Sequence, residues 1–163
     1  MYFKLIGDHV IYLVLYVDDM LLVGNDKEII QDLKTQLSSK FDMKDLDVAN
    51  YILGMEIKRD RAKRKLWLNQ RKYVETILQR FNMQGSKLVK VPIPVGVKLY
   101  VEQCPKTQEK EEDMSHVPYE SVVSSLMYTM VCTRPDIVHA VGVLSRFMSK
   151  PRNEHWTIVK QVF

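Results

Sequence analysis

The stretch that most constrains this chain is IYLVLYVDDMLLVG, residues 11–24, where two adjacent carboxylates, Asp18 and Asp19, interrupt an otherwise apolar run. Residues 11–17 and 20–24 are rich in β-branched, Leu and Tyr side chains, and the polar break between them predicts a β-hairpin. As a plain turn the pair is explicable, because Asp hydrogen-bonds locally and tolerates turn backbone. Asp-Asp is nevertheless a poorer two-residue turn than Asn-Gly or Asp-Gly, which reach positive φ cheaply. Like charges side by side against strands this apolar also raise the free energy unless a cation offsets them. A divalent metal with oxygen ligands would do so, since Mg²⁺ binds through one or two carboxylates together with substrate phosphates. The pair therefore reads either as a turn or as a metal-binding element of phosphoryl transfer.

The remaining composition sets broad limits. Hydrophobic residues at 46% with 27% charged residues mark a globular chain, and 163 residues suffice for one domain or a piece of a larger one. Asp18 and Asp19 break the longest apolar run, so no stretch reaches the roughly 18–20 residues of a membrane span. The start, MYFKLIGDHV, has neither the apolar core nor the cleavage site of a signal peptide. Two cysteines, Cys104 and Cys132, make no disulfide framework, which points to an intracellular setting. A net charge of +4 permits a nucleic-acid partner without requiring one. The charge is uneven: residues 58–65, KRDRAKRK, hold Lys58, Arg59, Arg61, Lys63, Arg64 and Lys65, while 109–113, EKEED, are mostly acidic.

Periodicity places the other elements. Asn25 followed by Glu28 suits a capping box, and Ile29, Ile30, Leu33, Leu37 and Phe41 make one apolar face of a helix over about 26–40. ANYILGMEIKRD and RKLWLNQ read as a second hairpin with the basic residues at its tip. Asn69 caps a helix carrying Tyr73, Val74, Ile77, Leu78 and Phe81, and Gly85 ends it. Pro92, Pro94, Gly96, Pro105 and Pro118 mark 85–117 as an extended linker. From residue 118 the pattern is helical, with a break near Thr133–Pro135, and Ile137, Val141, Leu144 and Met148 share one side. The last residues, NEHWTIVKQVF, open an amphipathic helix that looks cut short. The C-terminal helices are expected to pack loosely. His9, His116, His139 and His155 show no zinc spacing and read as surface or half-buried.

YVDD, Tyr16 to Asp19, between apolar strands resembles the Tyr-x-Asp-Asp motif of reverse transcriptases. LKTQLSSKFDMKDL, YILGMEI, LWLNQRKYVETILQRFNM, YESVVSSLMYTMVCTRPDIVHAVGVLSRFMS and HWTIVK resemble, in this order, the Pol polyprotein of copia-type LTR retrotransposons. The resemblance implies an α+β fold: a partial palm of antiparallel hairpins over 1–68, a thumb-like helix over 69–84, the linker, and connection-like helices over 118–163. It implies RNA-directed DNA polymerase chemistry with Mg²⁺, acting on an RNA/DNA primer–template and dNTP. Asp18 then corresponds to the direct metal ligand with Asp19 beside it, and Tyr16 and Val17 flank the primer end. Lys44, within FDMKDL, corresponds to a donor to departing pyrophosphate, or is an ordinary surface lysine. The six basic residues of 58–65 would neutralise phosphates. Trp67 reads as hairpin core, with base stacking as its other use.

The family also needs a third Asp on an earlier palm strand, the fingers, and an RNase H domain downstream, none of which is in this sequence. The isolated chain is therefore expected to be inactive, with missing parts supplied by the same polyprotein in a cytoplasmic particle or the nucleus. A non-catalytic nucleic-acid-binding remnant and a decayed reading frame are the competing readings. Asp47 and Ser124 stand where the family pattern carries Gly.

Overall fold

The computed structural model describes residues 1–86, 89, 91, 93, 99 and 114–163. Among them the chain is α+β, with five α-helices and two small antiparallel sheets, as the sequence predicts. It divides into two compact units, residues 1–53 and 54–163. The expected linker over 85–117 lies, apart from its ends, outside the described residues, as does the acidic run 109–113. No helix among the described residues is long and apolar enough to cross a membrane.

In the first unit β1 (Tyr2–Ile6), β2 (His9–Tyr16) and β3 (Asp19–Gly24) form an antiparallel meander in that order. β1 is an addition to the sequence reading, which starts the first hairpin at residue 11. Gly7, at φ +59°, and Asp8 close a two-residue turn that sets Ile6 opposite His9, the Gly-X chemistry of a tight hairpin. A single helix, α1 (Lys27–Ser38), follows β3 through Asn25 and Asp26 and packs on that strand. The sequence points to Asn25 as its cap. The cap is Asp26, whose Oδ1 accepts from the Glu28 and Ile29 amides at 2.7 and 3.3 Å. Asn25 instead braces the β1–β2 turn, accepting from Val10 N at 2.9 Å and donating to Asp8 O at 3.1 Å.

Strand alternation assigns the two faces of this sheet. Register aligns Leu13 with Leu22 and Ile11 with Gly24 on one face, and Phe3, Tyr12 and Val23 on the other. A Cβ at Gly24 would meet the Ile30 side chain at 3.3 Å, so α1 covers the Ile11 face. Ile11 is buried there, and Ile29, Ile30, Leu33 and Leu37 are half-buried. Phe41, expected on the same stripe, falls beyond Ser38 where the helix has ended, and is exposed.

After the two-residue strand β4 (Tyr51–Ile52), the second unit opens with β5 (Met55–Asp60) paired to β6 (Lys65–Asn69). α2 (Arg71–Arg80) packs on β5. Asn69 Oδ1 accepts from the Arg71 amide at 2.7 Å, close to the predicted cap. The helix stops at Asn82, not at Gly85: Asn82 takes φ +54°, and the Met83 amide donates back to Leu78 O at 2.8 Å, a left-handed stop available to Asn as well as Gly.

The densest core lies farther on. α3 (Tyr119–Cys132), α4 (Val138–Leu144) and α5 (Asn153–Val162) bury Val122, Val123, Leu126, Val141, Leu144 and Val159 together. The loose C-terminal packing expected from sequence is thus corrected. α4 is flanked by 3₁₀ turns at Pro135–Ile137 and Ser145–Phe147 instead of running as one long helix. Tyr119 Oη donates to Leu144 O at 2.9 Å, tying the start of α3 to the end of α4. Thr133 Oγ1 donates to Gln70 Oε1 at 2.6 Å, tying the end of α3 to the entry of α2.

His155 also corrects the sequence reading, for it is fully buried while His9, His116 and His139 are exposed. Its Nδ1 accepts from the Arg152 amide at 3.0 Å, closing the cap of α5, and its ring stacks on Phe147 at 4.0 Å between centroids. Burial pushes the imidazole below its ordinary pKa of 6.5, with Arg152 adding to the shift against Glu154. The unfolded chain therefore takes up the proton first as pH falls. Stability from the neutral ring is complete above pH 6.5 and is lost as pH drops below it. Thermal melts should show a falling midpoint from pH 7 to pH 5. His155→Gln, which keeps an acceptor for the Arg152 amide but does not titrate, should flatten that slope.

Candidate functional site

The register of β2 on β3 pairs Tyr16 with Asp19, so the loop between them is Val17–Asp18 and not Asp18–Asp19. Asp19 is the first residue of β3. Val17 sits at φ +49° and is 86% exposed. A β-branched residue in left-handed backbone costs about 1–2 kcal/mol, and at this exposure Val17 gains almost no packing in return. Strain of this kind persists where the surrounding structure imposes it. Here the imposing structure is the apolar pairing of Val14 with Leu21 and Leu15 with Met20.

Both carboxylates are exposed. No hydrogen bond or ion pair among the described residues engages either of them. Tyr16 and Asp19 stand on the sheet face opposite α1, together with Tyr12 and Val14. The donor set suits Mg²⁺ in type and number for a partial site, because one or two carboxylates are what that ion takes from protein when phosphates complete its shell. Among the described residues no third Asp, Glu, His or Cys joins them. Asp8, the earlier aspartate, lies at the far end of β2, whose eight residues at about 3.3 Å each put it beyond ligand reach.

Lys44 belongs to the same unit, in the irregular segment after α1, and is exposed. Its neighbourhood is organised by Asp45, which pairs with Lys34 Nζ at 2.8 Å and accepts from the Asp47 amide at 2.9 Å. The Lys34 ammonium, first among the causes, holds the Asp45 carboxyl below its ordinary pKa. Asp47 then adopts φ +57°. This explains why glycine suits that position: the backbone is left-handed, and Asp is among the few other residues that accept it. Ser124 lies on the exposed side of α3, where a hydroxyl is harmless.

The six basic residues sit on the other unit, at the tip of the β5–β6 hairpin. Asp60 pairs with Lys65, leaving Arg61–Arg64 as the loop, and Asp60 Oδ1 accepts from the Lys63 amide at 3.0 Å. Arg64 takes φ +52° to close the turn. Two of the cations have acidic neighbours, Lys58 near Glu56 at 3.8 Å and Lys63 near Asp60 at 3.7 Å. Arg61, Arg64 and Lys65 have no salt bridge among the described residues. Trp67, expected in the hairpin core, is exposed. Its strand partner Lys58 and the alternation along β6 put it on the face opposite Ile57, and it is Ile57 that is buried.

Residues 1–95 match the family model described as reverse transcriptase (RNA-dependent DNA polymerase). The chain is 56% identical over 99% of its length to the retrovirus-related Pol polyprotein from transposon TNT 1-94 of Nicotiana tabacum. It is 36% identical over 96% of its length to the corresponding polyprotein from transposon RE2 of Arabidopsis thaliana. An uncharacterized mitochondrial protein of Arabidopsis thaliana is 37% identical over 93% of the chain and 59% of its own length. The chain spans 12% and 10% of the two polyproteins. No solved structure matches it.

The two left-handed positions give a direct check on backbone strain. Val17→Gly and Asp47→Gly should each raise the unfolding free energy by up to about 1 kcal/mol, read as a higher chemical-denaturation midpoint, because relief of strain exceeds the added unfolded-state entropy. Gly24→Ala should do the opposite, since its Cβ would lie 3.0 Å from Val10 O.

Proposed function

From the premise that the chain belongs to the reverse transcriptase family, in the form carried by retrotransposon Pol polyproteins, we propose that it supplies the catalytic hairpin and a nucleic-acid-gripping hairpin of an RNA-directed DNA polymerase. The observation that carries this reading is the pair of exposed, unengaged carboxylates at a strained two-residue turn between apolar strands. A turn that served only to reverse the chain would gain stability from Gly or Asn at Val17. A valine there, with two acids beside it, fits a turn whose geometry serves the direction of the carboxylates.

In this reading Asp18 is the direct metal ligand and Asp19 stands beside it. Mg²⁺, when bound, would supply charge stabilisation to the attacking and leaving oxygens of nucleotidyl transfer. Tyr16 and Val17 flank the primer end, where the exposed ring and methyl groups can limit its position. The primer 3′-hydroxyl gives its proton to solvent as its oxygen bonds to the α-phosphorus of the dNTP, and the bond to pyrophosphate breaks. In the same reading Lys44 acts as a donor to that departing group. Lys58, Arg59, Arg61, Lys63, Arg64 and Lys65 neutralise backbone phosphates, which makes binding salt-dependent and indifferent to sequence. Residues 1–68 act as palm, 69–84 as thumb and 118–163 as connection, within an intracellular particle or the nucleus. Further carboxylates and the dNTP-binding surface come from other parts of the polyprotein.

Introduced into the full-length polyprotein, Asp18→Asn should abolish Mg²⁺-dependent extension of an RNA-templated primer while leaving primer–template binding within a few-fold. Retained extension would overturn the catalytic assignment. The chain by itself should bind primer–template at low salt without extending it. Replacing Arg61, Arg64 and Lys65 by Gln should lower the salt slope of that binding by two to three.

A further inference from the structure

We infer that the β5–β6 hairpin carries a stacking platform for unpaired bases of single-stranded RNA, with Trp67 as its surface and Lys58 and Lys65 as its phosphate contacts. The inference rests on the nucleic-acid reading above and adds to it the strand state and the residue that senses it.

Three observations place these groups together. Trp67 is 48% exposed although it lies in the middle of a five-residue strand, where an indole of this size would ordinarily be covered. Lys58 is its direct cross-strand partner, so the two side chains rise from the same face at about 5 Å between Cβ atoms. Lys65, two residues earlier on β6, rises from that face as well. α2 packs on β5, and the buried residue of that strand is Ile57, which belongs to the opposite face. The indole is therefore turned away from the core of its own unit.

Charge decides between possible occupants. An exposed Trp by itself would fit any apolar partner. Here it is bordered by the most basic segment of the chain, whose only acid, Asp60, is already engaged by the Lys63 amide and near its ammonium. Glu56, the other acid on this face, accepts from Asn69 Nδ2 at 3.2 Å and lies near Lys58. A flat aromatic surface flanked by cations matches a chain of stackable bases joined by phosphates, and such stacking tolerates any sequence. Duplex bases are already stacked on one another and offer only phosphates. The family is described as RNA-dependent, so the unpaired strand present during its reaction is the RNA template, and single-stranded RNA is the occupant assigned.

The test uses the full chain, a 12-nucleotide oligo(U) RNA, the matching DNA and a blunt RNA/DNA duplex, each followed by fluorescence anisotropy and by intrinsic tryptophan emission at low salt. The RNA should quench emission saturably. Trp67→Phe should remove that quench and keep affinity within about threefold, and Trp67→Ala should weaken RNA binding about tenfold with duplex binding unchanged. RNA binding without a quench, or with Trp67→Ala binding as wild type, overturns the platform and leaves the nucleic-acid reading standing. A quench by the DNA at tenfold higher affinity than the RNA overturns the RNA assignment. Failure of RNA, DNA and duplex alike to bind overturns the parent reading together with the platform. The wild-type quench needs no variant, so a folding failure of Trp67→Ala would not shield the proposal.

Discussion

The pairing of Tyr16 with Asp19 is the constraint on which the candidate site depends. Once Leu13 faces Leu22 and Leu15 faces Met20, only two residues remain to reverse the chain, and Val17 has to take positive φ. A shift of one residue would relieve Val17, but it would send every apolar side chain of β3 to the wrong face. Burial of Ile11 and the half-burial of Leu13 and Leu22 beneath α1 hold the register. At roughly 25 cal/mol per Å² of apolar area, a few such side chains outweigh a strain of about 1–2 kcal/mol at one turn residue. The carboxylates are thus held out in water by packing at the middle of the sheet, not by anything in the turn itself.

The two units meet the problem of burial differently. In residues 54–163 apolar side chains find one another: Val122, Val123, Leu144 and Val159 are essentially inaccessible, and Tyr119 Oη and Thr133 Oγ1 tie helix junctions by hydrogen bonds. In residues 1–53, among the described residues, α1 covers one face of the sheet. Phe3, Leu5, Tyr12 and Val23 stand exposed on the other, the face that also bears Asp19. α1 contributes no fully buried residue. The acidic turn is therefore carried by the unit with the thinner core, and its geometry is set by strand register more than by enclosure.

What was legible in the sequence follows from which forces are local. The β2–β3 hairpin, α1 and α2 are encoded by short-range periodicity, and they form where the pattern puts them, within a few residues. Their ends are decided by single side chains competing for the same amide groups: Asp26 outcompetes Asn25 at one cap, because Asn25 is drawn to Val10 and Asp8 across the β1–β2 turn. Asn82 takes the left-handed stop three residues before the glycine that seemed made for it. β1 was readable in Gly7–Asp8, a two-residue turn signal, but the strand before it, with Lys4 at its centre, lacks a run long enough to stand out. Burial was less legible still. Trp67 looks like core by composition and is not, while His155 looks like surface and is sealed against Phe147. Both depend on which face a neighbouring helix covers, and that information is not local.

For the candidate site, residue types were legible and their electrostatic setting was not. Asp18 and Asp19 announce themselves as acids in an apolar run, but only the fold shows that neither is neutralised by a neighbour. In contrast, Lys58 and Lys63 look free in sequence and sit beside Glu56 and Asp60 in the structure. These exposed pairs are weak, within about 1 kcal/mol, and a phosphate can displace the acid without a large penalty. The carboxylate pair has no such internal relief. Its mutual repulsion is offset by solvent and salt over a Debye length of about 8 Å, and a divalent ion bridging to a triphosphate would offset it far better. The two hairpins therefore respond differently to conditions: the ion pairs of the basic one weaken as salt rises, whereas the repulsion within the acidic one is eased by the same salt.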